Sequence, residues 1–270
     1  RSLSPLSAFV DESSLRGLHR MFSYSGIPYH SCSTDVFLRY LSKFKAVVIS
    51  NDQYLSHDMI SAIDSYVSNG GKLFLTGKSG MVDPVGNFVK NEMLERVLGV
   101  SVDEGYTHRH GYIELTERDV LGHKVADMPL LSTRTFMLVK SLEACTLANL
   151  RSIYLRSDGQ PLFTEFASNT STFSPPGELT GTVALTVNAY GKGKAAYCAT
   201  DIFAGFAGNN NWSLKNLVKN LLNDLLLHNE ASRIEAPDYI AVALAEREGE
   251  WLVHMVNLVR ESPLTRFDGA

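Results

Sequence analysis

The sequence predicts an α/β fold of three layers, in which helices cover both faces of a mostly parallel β-sheet. Residues Lys45–Ser50 form a short apolar run rich in β-branched side chains, the pattern of a strand buried on both faces. Residues Lys72–Thr76 form a second such run, and a segment with helical periodicity separates the two. Two strands joined by one helix cross over right-handedly into parallel neighbours, so this stretch predicts a βαβ unit.

The helix inside this unit has clear signals at both ends. Ser56 is a natural N-cap residue, because its hydroxyl can accept a hydrogen bond from an amide of the first turn. Gly70 and Gly71 end the helix, since glycine adopts the left-handed C-terminal conformation without a steric penalty. The apolar face between these ends consists of Met59, Ile60, Ile63, Tyr66 and Val67.

Further elements precede this unit. Residues Leu15–Ser25 place apolar side chains on one helical face, and the short segment Tyr29–Ser31 after them is predicted to be extended. Asp35–Ser42 is predicted to form a short helix. Leu6–Val10 is a weak strand candidate, because Pro5 lies at its start.

The middle of the chain mixes helix and strand patterns. Asn91–Leu98 is predicted to form a helix that Gly99 closes, and Gly111–Leu115 and Phe136–Lys140 are predicted strands. Glu114 near the end of the first strand, with Glu117 and Asp119 in the loop after it, is interpreted as part of a solvated acidic surface.

Two hairpins are predicted in the following region. Arg151–Arg156 and Pro161–Phe166 form the first pair, and the polar stretch Thr170–Thr180 is predicted to be a loop. Val183–Ala189 and Ala195–Ala199 form the second pair, joined by a tight glycine-containing turn.

The C-terminal part changes character. Trp212–His228 has the strongest helical period in the chain. Tyr239–Glu246 and Trp251–Leu258 then alternate apolar and polar residues, which predicts a hairpin with one buried face. We therefore expect an α/β domain over residues 1–232 and the start of a small β domain over residues 233–270.

Composition excludes several classes of protein. The 270 residues are 44% hydrophobic and 20% charged, as in globular proteins, and the net charge of -4 argues against nucleic-acid binding. No apolar run is long enough to cross a membrane, and the N-terminal residues lack the apolar core of a signal peptide. Cys32, Cys145 and Cys198 are far apart, which favours free thiols and a cytoplasmic location. A processed secreted chain is the alternative.

Polar residues follow the two central strands and predict a ligand-binding crevice, because open α/β sheets bind ligands at the carboxyl ends of their strands. A satisfied loop or a subunit contact is the alternative interpretation. A carbohydrate is the expected ligand if the crevice binds one. The candidate residues are Asn51, Asp52, Thr76, Gly77, Lys78, Ser79 and Asp83.

Other chemical signals are weak. The Gly77–Ser79 segment resembles the end of a phosphate loop, but the glycine required upstream is replaced by Lys72. His108 and His110 have no third ligand nearby, so we expect no metal site and no cofactor. Cys32 is the cysteine best placed to act as a nucleophile, although a structural role is favoured.

Four segments together carry a family resemblance. They are Leu41–Asn51, Leu55–Gly77, Tyr190–Tyr197 and Val253–Asn257. This series resembles the class I glutamine amidotransferase-like domain, which is the trimerisation domain of family 42 β-galactosidases. The resemblance implies a flavodoxin-like fold and assembly into oligomers, for example trimers. In related glycoside hydrolases the module lies between a catalytic (β/α)8 barrel and a C-terminal β domain.

The resemblance also restricts catalysis. Glycoside hydrolases of this kind use two carboxylates on the barrel, and no barrel is found in this sequence, so no catalytic residue is assigned. In true amidotransferases a cysteine nucleophile occupies the turn after the second strand, where this chain has Lys78. A lysine has no thiolate, so we expect no amidotransferase activity. The leading hypothesis is a non-catalytic accessory and oligomerisation domain of a glycoside hydrolase-like protein. The alternative is a stand-alone sugar-binding protein or hydrolase that uses the crevice.

Overall fold

The structure is a computed structural model that describes residues 12–105, 110–155, 174–228, 237 and 240–257. The first helix in these residues is amphipathic and the last is rich in leucine. In chain order they are α1 (Glu12–Ser25), α2 (Thr34–Tyr40) with a 3₁₀ turn at Leu41–Lys43, α3 (His57–Ser68), α4 (Glu92–Leu98), α5 (Arg118–Leu121), α6 (Ile202–Asn209) and α7 (Trp212–Asn220), which continues as a π-helical segment at Leu221–Leu226.

Strands occupy the regions between these helices and the C-terminal part of the described chain. They are β1 (Ala46–Ser50), β2 (Lys72–Thr76), β3 (Val100–Gly105), β4 (Gly111–Leu115), β5 (Leu130–Ser132), β6 (Met137–Ser141), β7 (Cys145–Ile153), β8 (Pro176–Tyr190), β9 (Gly193–Cys198), β10 (Ile240–Arg247) and β11 (Glu250–Asn257).

Seven strands form the main sheet, in the order β1-β2-β9-β8-β7-β4-β5. The β1–β2 and β2–β9 pairs are parallel, whereas the other four neighbouring pairs are antiparallel. Five of the seven strands therefore run in one direction, and only β8 and β4 run in the other. The α/β class and the prevailing strand direction agree with the prediction. Parallel hydrogen bonding is restricted to one end of the sheet, because strands joined by tight hairpins such as β8–β9 must pair antiparallel.

The predicted βαβ unit is confirmed. Strands β1 and β2 pair in parallel with Ser50 opposite Thr76, and α3 connects them. The hydroxyl of Ser56 accepts a hydrogen bond from the Met59 amide at 3.3 Å, which caps α3 as expected. Gly70 follows the helix with φ +113°, a conformation that L side chains rarely adopt.

The core lies between the sheet and its helices. Phe74 of β2 contacts Phe203 of α6 with ring centroids 5.9 Å apart, and Phe203 contacts Phe22 of α1 at the same distance. The neighbours of Phe74 in the strand, Leu73 and Leu75, are also fully buried. Since successive strand side chains point to opposite faces, β2 is covered on both sides.

Two smaller sheets accompany the main one. Strands β3 and β6 pair antiparallel, and β10 and β11 form the predicted C-terminal hairpin. Glu248 and Gly249 form its two-residue turn with φ +55° and +82°, which suits the right-handed twist of the strands. The predicted buried face is wrong for β11, because all eight of its residues are exposed. Trp251, for example, retains 65% of its surface.

Several sequence predictions need correction. The loop predicted over Thr170–Thr180 belongs to β8 from Pro176 onward, and the predicted extended segment Tyr29–Ser31 pairs with no described strand. The single helix predicted over Trp212–His228 turns into a π-helical segment after Asn220. The strand candidate Leu6–Val10 lies outside the described residues, as do Pro161–Phe166 and His108.

Candidate functional site

The carboxyl ends of β1, β2 and β9 lie side by side at one edge of the sheet. The parallel register aligns Ser50 with Thr76, and Thr76 with Cys198. The segments that follow β1 and β2 therefore meet, as predicted, and they carry Asn51 and Lys78.

Asn51 connects these two segments. Its side-chain oxygen accepts a hydrogen bond from the Lys78 amide at 2.9 Å, and its own amide donates to the hydroxyl of Thr76 at 3.2 Å. Asn51 has φ +50°, a left-handed conformation that asparagine tolerates better than most residues. Gly77 is required beside it, since a Cβ atom there would lie 2.4 Å from the Asn51 side-chain oxygen.

Backbone hydrogen bonds also join the loops after β1 and β2 further along the chain. The Gly80 amide donates to the Asp52 carbonyl at 2.9 Å, and the Val82 amide donates to the Gln53 carbonyl at 3.0 Å. On the β9 side, the hydroxyl of Tyr197 donates to the Gly77 carbonyl at 2.7 Å. The rim of the predicted crevice thus has a defined geometry, fixed by hydrogen bonds between the two loops and from β9.

Two of the predicted site residues have structural roles. Thr76 and Ser79 are fully buried, and the Ser79 hydroxyl donates to the Thr76 carbonyl at 2.7 Å. A phosphate loop uses the equivalent hydroxyl to bind a magnesium ion, which requires access. The Ser79 hydroxyl is instead used inside the turn, so the structure gives no support to nucleotide binding here.

Asp52 is the chemically distinctive residue of the rim. One of its carboxylate oxygens is buried and has no hydrogen-bond partner among the described residues. Burial disfavours the charged form and raises the pKa of the Asp52 carboxyl to about 6. A carboxyl group with this pKa exchanges its proton near neutral pH.

Asp83 is not brought into this arrangement. Its carboxylate accepts hydrogen bonds from the amides of Asn87 at 2.8 Å and Val85 at 3.0 Å, all within its own loop. These bonds, the Asn87 amide first, lower the pKa of the Asp83 carboxyl. No hydrogen bond among the described residues joins Asp83 to the Asn51–Lys78 pair.

A polar cluster next to β9 was not anticipated from the sequence. The carboxylate of Asp201 caps α6 by accepting from the Ala204 amide at 2.9 Å, and it also accepts a short hydrogen bond from the Ser14 hydroxyl of α1. Arg134 donates to the hydroxyl of Ser13 at 2.9 Å. The sequence signal for the Asp201 cap is an aspartate directly before an apolar stretch, a common N-cap pattern. The cluster fixes α1 to the sheet edge.

The glycines of two family motifs pack against each other at the opposite edge. A Cβ atom at Gly193 would lie 2.2 Å from the carbonyl oxygens of Gly71 and Val67, and one at Gly191 would lie 2.5 Å from that of Ser68. The Lys192 amide donates to this Ser68 carbonyl at 2.9 Å. These two motifs therefore form a close backbone contact between two turns.

The cysteines and possible metal ligands were also located. Cys198 is buried in β9, and burial raises the pKa of its thiol to about 12, whereas Cys32 and Cys145 are exposed. Burial and the nearby Asp35 raise the pKa of Cys32, which makes it a poor nucleophile. Within the described ranges, no three histidine, cysteine or acidic side chains are grouped as metal ligands. No helix in those ranges is long and apolar enough to span a bilayer.

Several solved structures with a similar fold are glycoside hydrolases. α-L-Fucosidase isoenzyme 2 from Paenibacillus thiaminolyticus matches with a TM-score of 0.69 at 16% identity, over 91% of this chain and 34% of that enzyme. The β-galactosidase from Rahnella sp. R3 matches with a TM-score of 0.63 at 20% identity, over 95% and 33%. The β-galactosidase from Bacillus circulans sp. alkalophilus gives 0.63 at 18% identity, over 95% and 33%. The chain thus spans about a third of the length of each of these proteins.

Sequence comparison gives the family. No curated protein matches the chain. The family model described as the β-galactosidase trimerisation domain matches residues 11–228, which is most of the 270 residues. The resemblance to the β-galactosidase trimerisation domain, stated from the sequence motifs, is thereby confirmed. This chain belongs to the β-galactosidase trimerisation domain family.

Proposed function

We propose that the chain is a non-catalytic accessory and oligomerisation domain of a glycoside hydrolase-like protein. The observation that carries this proposal is the family match over residues 11–228. The likeness to a domain-sized third of several glycoside hydrolases agrees with it. In this proposal the chain assembles into homo-oligomers, trimers by family, and adjoins a catalytic barrel that supplies the two carboxylates for glycoside hydrolysis.

The absence of amidotransferase chemistry is part of the proposal. We infer that the α/β domain has the amidotransferase-like arrangement, in which the turn after β2 would carry the nucleophile. That turn holds Lys78, and Gly77 and Gly80 beside it have φ +60° and +68°. The turn is therefore sharp, as a nucleophile position requires, but a lysine cannot form the thiolate that attacks a glutamine amide.

We also infer the arrangement of the layers and the domain boundary. Packing of Phe74 on α6 and burial of Leu73 and Leu75 on the other face of β2 support a three-layer, flavodoxin-like arrangement. The separate β10–β11 sheet, with β11 exposed along its length, supports the division into residues 1–232 and a small β domain that begins at residue 233. Exposed Cys32 and Cys145 suit a reducing, cytoplasmic compartment.

Sedimentation equilibrium tests the oligomerisation proposal. The expected result is a particle of about three times the 29.8 kDa chain mass at micromolar concentration. Where the chain sediments as a monomer, a catalytic barrel supplied separately should still bind it. A chain that stays monomeric and also fails to bind such a barrel would overturn the proposal.

A second function is favoured by one observation, the partly buried Asp52 carboxyl at the crevice. A protein that binds sugars there, or hydrolyses them, would use Asp52 and Lys78 as polar contacts and Asn51 to position the rim. Replacing Asn51 and Lys78 by alanine should then abolish binding of galacto-oligosaccharides in calorimetry, whereas Asp83→Ala should leave it unchanged. Binding that survives the double replacement would exclude this function.

A further inference from the structure

The outer strand of the β10–β11 hairpin exposes a concentrated apolar surface. Five of the eight residues of β11 are large apolar side chains that retain 45–71% of their surface, namely Trp251, Leu252, Val253, Met255 and Val256. Exposed apolar groups this close together mark sites where proteins associate, and tryptophan and methionine are enriched at such sites. The proposed function does not use this surface.

Helix α1 covers the other strand of the hairpin. Strand β10 packs against α1, and Val242 of β10 is buried. Its register partner Met255 lies on the same face of the hairpin but is 71% exposed. Strand β11 therefore projects beyond the helix, and among the described residues it pairs with no strand other than β10.

The free edge of β11 has a regular set of backbone groups. A two-residue turn is closed by a hydrogen-bonded pair, here Arg247 and Glu250, and such pairs alternate with non-hydrogen-bonded pairs along an antiparallel ladder. The backbone N–H and C=O groups of Trp251, Val253 and Met255 therefore point away from β10. The side chains of these three residues share one face of the hairpin, because residues two apart in a strand do so.

The sequence of β11 lacks the features that usually protect a free edge. Glu250–Asn257 contains no lysine, proline or glycine, and its register with β10 is continuous over eight residue pairs, without a bulge. A two-stranded sheet is marginally stable in water, and further strands stabilise it. The edge is therefore suited to receive another strand.

Strand β11 is complementary to a second copy of itself. A two-fold axis at Val253 would place Trp251 opposite the partner's Met255 in an antiparallel pair, and the two Val253 residues opposite each other. These residues all present outward backbone groups, so ladder hydrogen bonds can form, and their apolar side chains meet on one face. The carboxylate of Glu250 then lies opposite the partner's Val256 and not opposite another carboxylate.

We propose that β11 pairs with β11 of a second copy of this chain, which joins two hairpins into one four-stranded antiparallel sheet. A two-fold contact closes on itself, so it is separate from the three-fold assembly of the proposed function and adds to it. One strand edge is small beside a standard interface of about 800 Å² per partner. The association is therefore weak, and we expect to detect it at about 100 µM chain but not at about 1 µM.

A disulfide between two copies tests the pairing. Opposite residues of a hydrogen-bonded pair have Cα atoms about 5.5 Å apart, which a disulfide can span. In a chain with Cys32→Ser and Cys145→Ser, V253C should therefore form a covalent dimer under mild oxidation. H254C is the matched control, because this position is also exposed but would be offset from its copy by two residues. Equal dimer yields from V253C and H254C, or none from V253C, would overturn the proposal.

Charge exchange tests the register of Trp251 and Met255. The variants W251E/M255E and W251K/M255K each oppose like charges, so each alone should lose the association that sedimentation detects at high concentration. An equimolar mixture of the two opposes glutamate to lysine and should associate more strongly than either variant alone. A mixture as dissociated as its components would contradict the pairing.

Hydrogen exchange distinguishes a second copy from other occupants of the edge. The amides of Trp251, Val253 and Met255 should become protected as the concentration of the unmodified chain rises. Protection that does not depend on concentration would show that another part of the same chain covers the edge, and the proposal would then be wrong. A chain that sediments as a trimer while V253C forms no dimer would overturn this proposal alone and leave the proposed function intact.

Discussion

The side-chain oxygen of Asn51 lies 2.9 Å from the amide nitrogen of Lys78 and accepts its hydrogen bond. This contact ties the residue after β1 to the turn after β2. Asn51 makes the contact from a left-handed conformation. The geometry of the crevice rim therefore depends in part on one amide side chain, which allows direct tests.

Asn51→Ala should destabilise the fold. The change removes a partly buried hydrogen bond, which contributes about 0.5–1.5 kcal/mol, and places alanine at φ +50°, which costs about 1 kcal/mol more. We expect the free energy of unfolding to fall by about 1–3 kcal/mol in urea denaturation. Asn51→Gly keeps the conformation accessible and should lose only the hydrogen-bond part. An alanine variant as stable as the unmodified chain would contradict the inferred role.

Gly77→Ala tests the other side of the same contact. A Cβ atom there would lie 2.4 Å from the Asn51 side-chain oxygen, and φ +60° is itself unfavourable for alanine. We expect a loss of ~2–4 kcal/mol from strain and displacement of Asn51. Thermal and urea unfolding would measure it.

Gly181→Ala is the control for Gly77→Ala. Gly181 has φ +75° and no atom within 4 Å of its Cβ position, so its replacement reports the conformational penalty alone. The double variant N51G/G77A removes the clashing side chain and should cost less than the sum of the two single changes. Strict additivity would show that the two residues do not interact.

Asp52 should make stability depend on pH. Its pKa is about 6 in the folded chain, against an ordinary value of 3.8, so the folded state retains a proton that the unfolded state has released. The contribution of this carboxyl to stability is fully present below pH 3.8 and is lost as pH rises through about 6. Asp52→Asn should therefore be more stable than the unmodified chain by about 1–3 kcal/mol at pH 8 and nearly equal at pH 4.

Asp83→Asn should change the pH dependence of stability in the opposite sense to Asp52→Asn. Hydrogen bonds lower the pKa of Asp83, so its contribution is present above the ordinary value and is lost as pH falls through the lowered one. Urea denaturation of both variants across pH 3–9 would measure the two effects. A stability difference for Asp52→Asn that stays constant with pH would refute the raised pKa.

Thiol labelling should divide the three cysteines into two groups. Cys32 and Cys145 are exposed, whereas Cys198 is buried with its pKa raised to about 12. A disulfide reagent at pH 8 should label two thiols in the native chain and the third only after denaturation. The raised pKa of Cys32 should make it the slower of the two exposed thiols, and Cys32→Ser identifies it. Three rapid equivalents would show that β9 is open to solvent.

The sequence was sufficient for the elements whose local signals agree with their packing. Helix α3 has an N-cap serine, a regular apolar face and a glycine end, and β1 and β2 each have an apolar run of at least three residues. Helix α6 was missed, because Ile202–Phe206 are all buried and its short sequence shows no polar face. Strand β3 was missed for the opposite reason, since Val100–Gly105 alternates with charged residues that resemble a loop.

The sequence predicted where the candidate residues Asn51 and Lys78 meet, but not their detailed geometry. Parallel pairing brings Asn51 and Lys78 together, as the sequence implied, yet nothing in the sequence showed that Asn51 would adopt a left-handed conformation. The isolation of Asp83 depends on a local turn with Asn87 that only the folded loop reveals. The Asp52 pKa likewise arises from burial, which composition and spacing do not report.

The contact between the Gly70–Gly71 turn and the Gly191–Gly193 turn also decides where the chain can be cut or extended. Residues added at either turn would separate two backbones that have no space between them, so reporter insertions and new termini belong elsewhere. The turn at Glu248 and Gly249 is suitable, because nothing lies within 4 Å of the Gly249 Cβ position. A split-protein reporter opened there would leave the βαβ unit and its hydrogen-bonded rim intact.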